Sequence, residues 1–291
     1  MFLALIYLGE HNNFLNYPGF VIDSVPCIFV FCALACEAKP LIHAWKLKKI
    51  AHTPMPFTLY ANAERVVVIS GIGKAAMAGA VAYAMAWFRV ERLPVLVNLG
   101  IAGHCHAELG TLFLAHKVID HETDRCFYPQ LPFDVPCATH SIKTVGKPCS
   151  DYAEDVLVEM EAAGFYEIAV KCSSSELIQV IKIISDNTAS PITAINESTV
   201  AVSITSQLSV VDAVLKQLIS MRKQTLMGGL QHPILAKYRL TVSSSLKLTA
   251  LLQRWYLLKG TEFDGVAANA GNAKELIRWL ETQLDETAFY L

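Results

Sequence analysis

Residues 27–34 form a short, almost wholly apolar run, the pattern of a strand buried on both faces, and residues 37–49 follow with helical spacing and late basic residues. The same alternation repeats. A short strand near 57–61 and a Val-Val-Val-Ile strand over 65–70 lead into Gly71-Ile72-Gly73, and the alanine-rich stretch 74–88 predicts a helix able to pack closely on a sheet. Pro94 opens a strand over 95–99 that ends in Gly100-Ile101-Ala102-Gly103, and residues 111–119 supply another. Residues 121–136 lack a clear period and read as a long loop beside a pocket. A strand around 139–145 precedes Ser150 or Asp151, either of which can cap a short helix introducing residues 158–161, and a helix then runs to about 172. Residues 177–184 are an apolar strand interrupted only by Gln179 and Lys182, ending at Ser185-Asp186-Asn187. From 197 to 223 the apolar spacing is helical, and further helices fit 243–258 and 272–284.

Alternating strands and helices predict an α/β fold of three layers, α/β/α, around a central mixed sheet, with a helical C-terminal extension. The expected organisation is an N-terminal extension (1–26), an α/β domain (27–227) and a helical segment (228–291) packed on that domain, the boundary lying in the connection that contains Gly228-Gly229 and Pro233. In an open α/β sheet, ligands bind at the carboxyl ends of strands, which directs attention to the segments just after them.

Composition narrows the chemistry. With 24 basic against 26 acidic residues the chain has no basic excess for a nucleic-acid backbone, so a small, roughly neutral ligand is expected and a nucleic-acid partner is not. Hydrophobic residues make up 53% of the chain, yet no apolar run reaches the roughly eighteen residues of a membrane span. Residues 1–8 are apolar but lack a basic start and a small-residue cleavage site, which argues against a signal peptide. Eight cysteines, several inside apolar runs and none in a Cys-x-x-Cys pair, suit a reducing cytoplasm. His104-Cys105-His106 offers ligand atoms, but adjacent loop residues rarely face one ion, so no metal and no organic cofactor is expected.

Four segments, each following a predicted strand, carry a more specific signal: Ala33-Leu34-Ala35-Cys36-Glu37, Ser70-Gly71-Ile72-Gly73-Lys74, Asn98-Leu99-Gly100-Ile101-Ala102-Gly103 and Ile184-Ser185-Asp186. A fifth, Val158-Glu159-Met160-Glu161-Ala162, lies at a helix entry. In order and spacing the set resembles the nucleoside phosphorylase and nucleosidase superfamily, and within it the methylthioadenosine/S-adenosylhomocysteine nucleosidases. Read singly, each has an ordinary explanation: Asp186 a strand-end turn, Glu37 a favourable first-turn acid, Met160 a core residue, Lys74 a solvated first-turn residue.

The resemblance implies cleavage of an N-ribosidic bond, which builds positive charge on the sugar and sends electrons into the base. Such a site needs an acid for the departing purine and carboxylates near the ribose. By resemblance, Asp186 protonates purine N7 with Ser185 orienting it, Glu161 holds the ribose hydroxyls, and Met160 packs against the sugar. The two glutamates of Glu159-Met160-Glu161 do not share a helix face, so one of them should enter the site, and the family pattern selects Glu161. Gly100, Ile101, Ala102 and Gly103 form the glycine turn beside the substrate. Phosphorylases of the superfamily hold phosphate with arginines that are missing here; Ala35-Cys36-Glu37 and Asn98 stand in their places. A carboxylate there repels phosphate and can orient water. Two departures stand out: Ile101 where the family has Ser or Thr, and Lys182 where close relatives have arginine. The expected function is hydrolysis of a purine nucleoside, such as a 5′-modified adenosine, by a cytoplasmic homodimer. The alternatives are phosphorolysis, with Lys39, Lys74 or another segment supplying the missing cation, and a nucleoside-binding protein without turnover.

Overall fold

A computed structural model describes residues 15–17, 20–22, 26–50, 55–90, 93–149, 152–228, 233–259, 263 and 270–285. The expected cap at Ser150 or Asp151 and the apolar stretch 1–8 lie outside the described residues. The chain divides into two compact units, Met1–Arg222 and Lys223–Leu291.

The first unit begins with β1 (Leu15–Tyr17) and β2 (Phe20–Ile22), paired antiparallel. The main sheet is built from β3 (Ile28–Cys32), β4 (Lys48–Lys49), β5 (Thr58–Ala61), β6 (Arg65–Ile69), β7 (Val95–His104), β8 (Leu112–Asp120), β9 (Cys126–Phe127), β10 (Ala138–Thr144), β11 (Leu157–Glu159) and β12 (Ile178–Asn187). Its order is β11-β10-β8-β12-β7-β3-β6-β5-β4, with β9 on β8. The centre β12-β7-β3-β6 is parallel, whereas β8 runs antiparallel to β12 and β5 to β6, so the sheet is mixed. The helices of this unit are α1 (Ala35–Ala44), α2 (Lys74–Trp87), α3 (Ala162–Ala169), α4 (Glu197–Ser206) and the greater part of α5 (Leu208–Gly228), which runs past Arg222 into the second.

Strand alternation sorts the core into two layers. Phe29 and Phe31 of β3 join Met77, Val81 and Ala84 of α2 and Phe165 of α3 in one cluster. Ile28, Val30 and Cys32 join Leu41 of α1, Val200 and Ile204 of α4, and Val211 and Leu215 of α5 in the other. These are the three expected layers.

Several boundaries differ from those the pattern predicts. Helix α1 stops at Ala44 because the chain turns at Lys46, whose φ is 52°, and this lets Lys48–Lys49 pair with β5. Strand β7 continues through Gly100-Ile101-Ala102-Gly103, since β12 pairs with it along that whole length. Residues 157–159 are strand, not helix, because β11 lies parallel to β10 and also meets β7 at Val158–Gly103. The helical stretch after 197 is two helices bent by 55°. Among the described residues no single helix is long and apolar enough to cross a membrane, and the bent pair α4–α5 buries Val200, Ile204, Val211, Val214 and Leu218 in the core.

The second unit contains α6 (Pro233–Lys237), α7 (Val242–Lys259) and α8 (Ala273–Asp285). Leu276, Ile277, Leu280 and Leu284 recur at helical spacing on α8. With Ile234, Leu248, Leu252 and Phe263, the first three of these form a separate core.

Candidate active site

The carboxyl ends of β3, β7, β11 and β12 converge on a cavity of about 260 Å³. Its wall includes Glu37, Ile101, Ala102, Gly103, Glu159, Met160, Glu161, Ser185 and Asp186, and Ile72 stands more than half exposed beside it. Gly100 is not on the wall. It makes room behind it: a β-carbon there would lie 2.8 Å from Glu37 Oε1 and 3.4 Å from Lys182 Nζ.

Glu37, only 3% exposed, is held at the N-terminus of α1. Its Oε2 accepts from the Ala33 and Leu34 amides at 2.9 Å each, and its Oε1 accepts from the Ile101 amide at 3.0 Å. Burial raises its pKa, opposed by the Lys182 charge and the three amides. The contact from residue 101 comes from the backbone, so holding Glu37 does not require the hydroxyl that Ile101 lacks.

The Glu159-Met160-Glu161 tandem sits at a strand end, and this corrects the helical-face expectation. With Glu159 closing β11 and Glu161 at the N-cap of α3, both carboxylates turn toward the cavity. They do different work. Glu159 accepts from the Glu161 and Ala162 amides and from Thr144 Oγ1, and pairs with Lys182 Nζ at 2.8 Å. Glu161 accepts from the Gly73 amide at 2.8 Å, so the glycine turn after β6 serves to hold a carboxylate. Burial and then the Glu159 charge raise its pKa to about 7.

Lys182 is 1% exposed. Burial disfavours its charge, but Glu159, Glu161 and Glu37 together outweigh burial and raise its pKa. One buried ammonium thus offsets part of the repulsion among three buried carboxylates. Lys182→Met is expected to destabilise the fold by about 3–5 kcal/mol near neutral pH, because it leaves those carboxylates uncompensated. The loss should shrink as pH falls, since Glu37 and Glu161, both with raised pKa, then take up protons. Denaturant unfolding at two pH values measures this; an equal loss at both would contradict it.

Asp186 follows an irregularity in the β12–β7 pairing between Ile184 and Asp186, a feature that re-aims a side chain at a strand end. It is 3% exposed. Ser185 Oγ donates to its Oδ1 at 2.5 Å, and Tyr152 donates its hydroxyl to Oδ2. Tyr152 is the site residue that sequence reasoning missed. It lies in a segment without periodicity, where only an aromatic residue among polar ones hints at burial.

The arginine-replacing cations considered from the sequence are placed elsewhere. Lys74 pairs with Asp120 at 2.7 Å and Glu122 at 2.5 Å, and Lys39 is exposed on α1. His104 is grouped with His140 and Asp155, not with Cys105 and His106, as a set of possible metal ligands within 4.8 Å of one another. Its Nδ1 accepts from the His106 and Ala107 amides, which leaves the ring proton on Nε2, facing Asp155 at 3.0 Å. A metal at Nε2 requires that proton to leave while Nδ1 still accepts, so the set suits a hydrogen bond better than an ion. Burial, then His140, lowers the His104 pKa, in keeping with the neutral ring that two amide donors require.

No protein-family model matches the chain, and no curated protein matches it significantly. Solved structures do. The apo 5′-methylthioadenosine nucleosidase of Arabidopsis thaliana superposes with a TM-score of 0.53 at 16% identity, covering 67% of this chain and 96% of that one. Futalosine hydrolase of Helicobacter pylori strain 26695 gives 0.52 at 15% identity, over 66% and 99%. The 5′-methylthioadenosine/S-adenosylhomocysteine nucleosidase of S. pneumoniae, solved with a transition-state inhibitor, gives 0.51 at 20% identity, over 65% and 98%. The chain shares the fold of these three solved structures.

Proposed function

We propose that this protein hydrolyses the N-ribosidic bond of a purine nucleoside, a 5′-modified adenosine such as methylthioadenosine or S-adenosylhomocysteine being the preferred substrate class. The observation that carries the reading is the convergence of Glu37, Glu161 and Asp186 on one cavity whose described lining contains no lysine or arginine. As the C1′–N bond breaks, its electron pair passes to the base, and Asp186 donates a proton to the base nitrogen. Water adds its oxygen to C1′ and yields a proton to Glu37, while Glu161 accepts from the ribose hydroxyls and Met160 packs against the sugar. The two carboxyls then re-equilibrate with solvent.

Phosphorolysis calls for a cation at the attack position. Lys182 is engaged by Glu159, and Lys74 by Asp120 and Glu122, which supports water as nucleophile. Incubation with a panel of nucleosides, with and without phosphate, followed by chromatography of the products, tests the reading; intact nucleosides throughout would overturn it. Because only the ionised Glu161 sets a negative charge beside the developing sugar cation, and its pKa is raised to about 7, kcat/KM is expected to rise with pH through that value. A flat profile between about pH 6 and 8 would contradict the role of Glu161.

A further inference from the structure

We propose that Tyr152 is a positioning residue for Asp186, aligning its carboxyl group for proton delivery to the departing base; the inference rests on the hydrolytic reading above. Both Asp186 oxygens are engaged, Oδ1 by Ser185 and Oδ2 by Tyr152, which removes rotation of the carboxyl about its own axis. A carboxyl oxygen has two lone-pair directions, so one that accepts from tyrosine can still carry the proton to be donated.

The surroundings are built around this contact. Gly103 lies against both partners: a β-carbon there would stand 2.6 Å from Asp186 Oδ2 and 2.7 Å from the Tyr152 hydroxyl oxygen, so any side chain would occupy their meeting place. His104, the next residue of β7, holds Asp155 at 3.0 Å and so anchors the segment that presents the tyrosine. Tyr152 is buried and lines a second cavity, of about 170 Å³, rather than the one lined by the three carboxylates. It therefore acts through Asp186 and not on the substrate. Burial, then the hydrogen bond and charge of Asp186, raise the Tyr152 pKa, so its hydroxyl stays a donor over the working pH range.

The test compares two leaving groups. A purine needs a proton to depart, whereas the nitrophenolate of 4-nitrophenyl riboside leaves with little help. Tyr152→Phe is expected to lower kcat on the purine nucleoside by about 10–100-fold with KM changed less than about threefold, and to slow the nitrophenyl riboside far less. In an Asp186→Asn background the same change should have little further effect, because the group it positions is gone. Equal slowing of both substrates, full retention of purine turnover, or a multiplicative loss in the double variant would overturn the inference and leave the hydrolytic reading standing. Absence of cleavage of both substrates by the unaltered protein would instead overturn that reading, and this inference with it.

Discussion

Asp186→Asn is expected to bind nucleoside nearly as well as the unaltered protein and to lose turnover by about 10²–10⁴-fold. The amide matches the carboxyl in shape but has no proton to deliver to a base. Its surroundings sharpen the effect. Ser185 and Tyr152 both donate to this side chain, and an asparagine can accept from only one of them through its oxygen while its NH₂ faces the other. Ser185 can reverse its hydroxyl, which also lies 3.3 Å from the Ala102 carbonyl, so the site has a way to tolerate the change. Binding measured by calorimetry and kcat measured at saturation separate the two effects; near-normal kcat would remove Asp186 from the mechanism.

Glu37→Gln is expected to slow hydrolysis by a similar factor, about 10²–10⁴-fold, with activity that does not depend on phosphate before or after the change. Three amides surround this carboxylate, two on Oε2 and one on Oε1. In either orientation, the NH₂ of a glutamine meets an N–H donor, so a loss of stability should accompany the loss of rate. A thermal melt quantifies the first and product analysis the second. Burial raises the Glu37 pKa, which makes its carboxylate a stronger base toward water. The expected product is the free sugar. Sugar 1-phosphate as the main product, at a rate that saturates with phosphate, would replace hydrolysis by phosphorolysis.

Much of this site is legible in the amino-acid sequence. Buried strands announce themselves as short apolar runs, and segments that end such strands carry chemistry at the edge of an α/β sheet. Glu37, Glu161, Ser185 and Asp186 are readable through the resemblance of their segments to nucleosidase motifs, with which their places after a strand or at a helix start agree. Lys182 is visible as a charge within an apolar strand, which already implies a buried partner. Its partner is not, because Glu159 lies on another strand that β10, β8 and β12 bring around to β7.

Local pattern thus sets the strands, the layers and three carboxylates near strand ends, since period and burial are properties of neighbouring residues. Which carboxylate faces an amide cage, which one an ammonium and which one a tyrosine is decided by tertiary structure alone. Residues 157–159 become strand because pairing with β10 and β7 overrides their helical pattern, and that pairing turns both Glu159 and Glu161 inward. Tyr152 meets Asp186 across 34 positions of sequence, over a glycine of a third segment. No periodicity encodes such a meeting, because it depends on the register between strands and on the space left by an absent side chain.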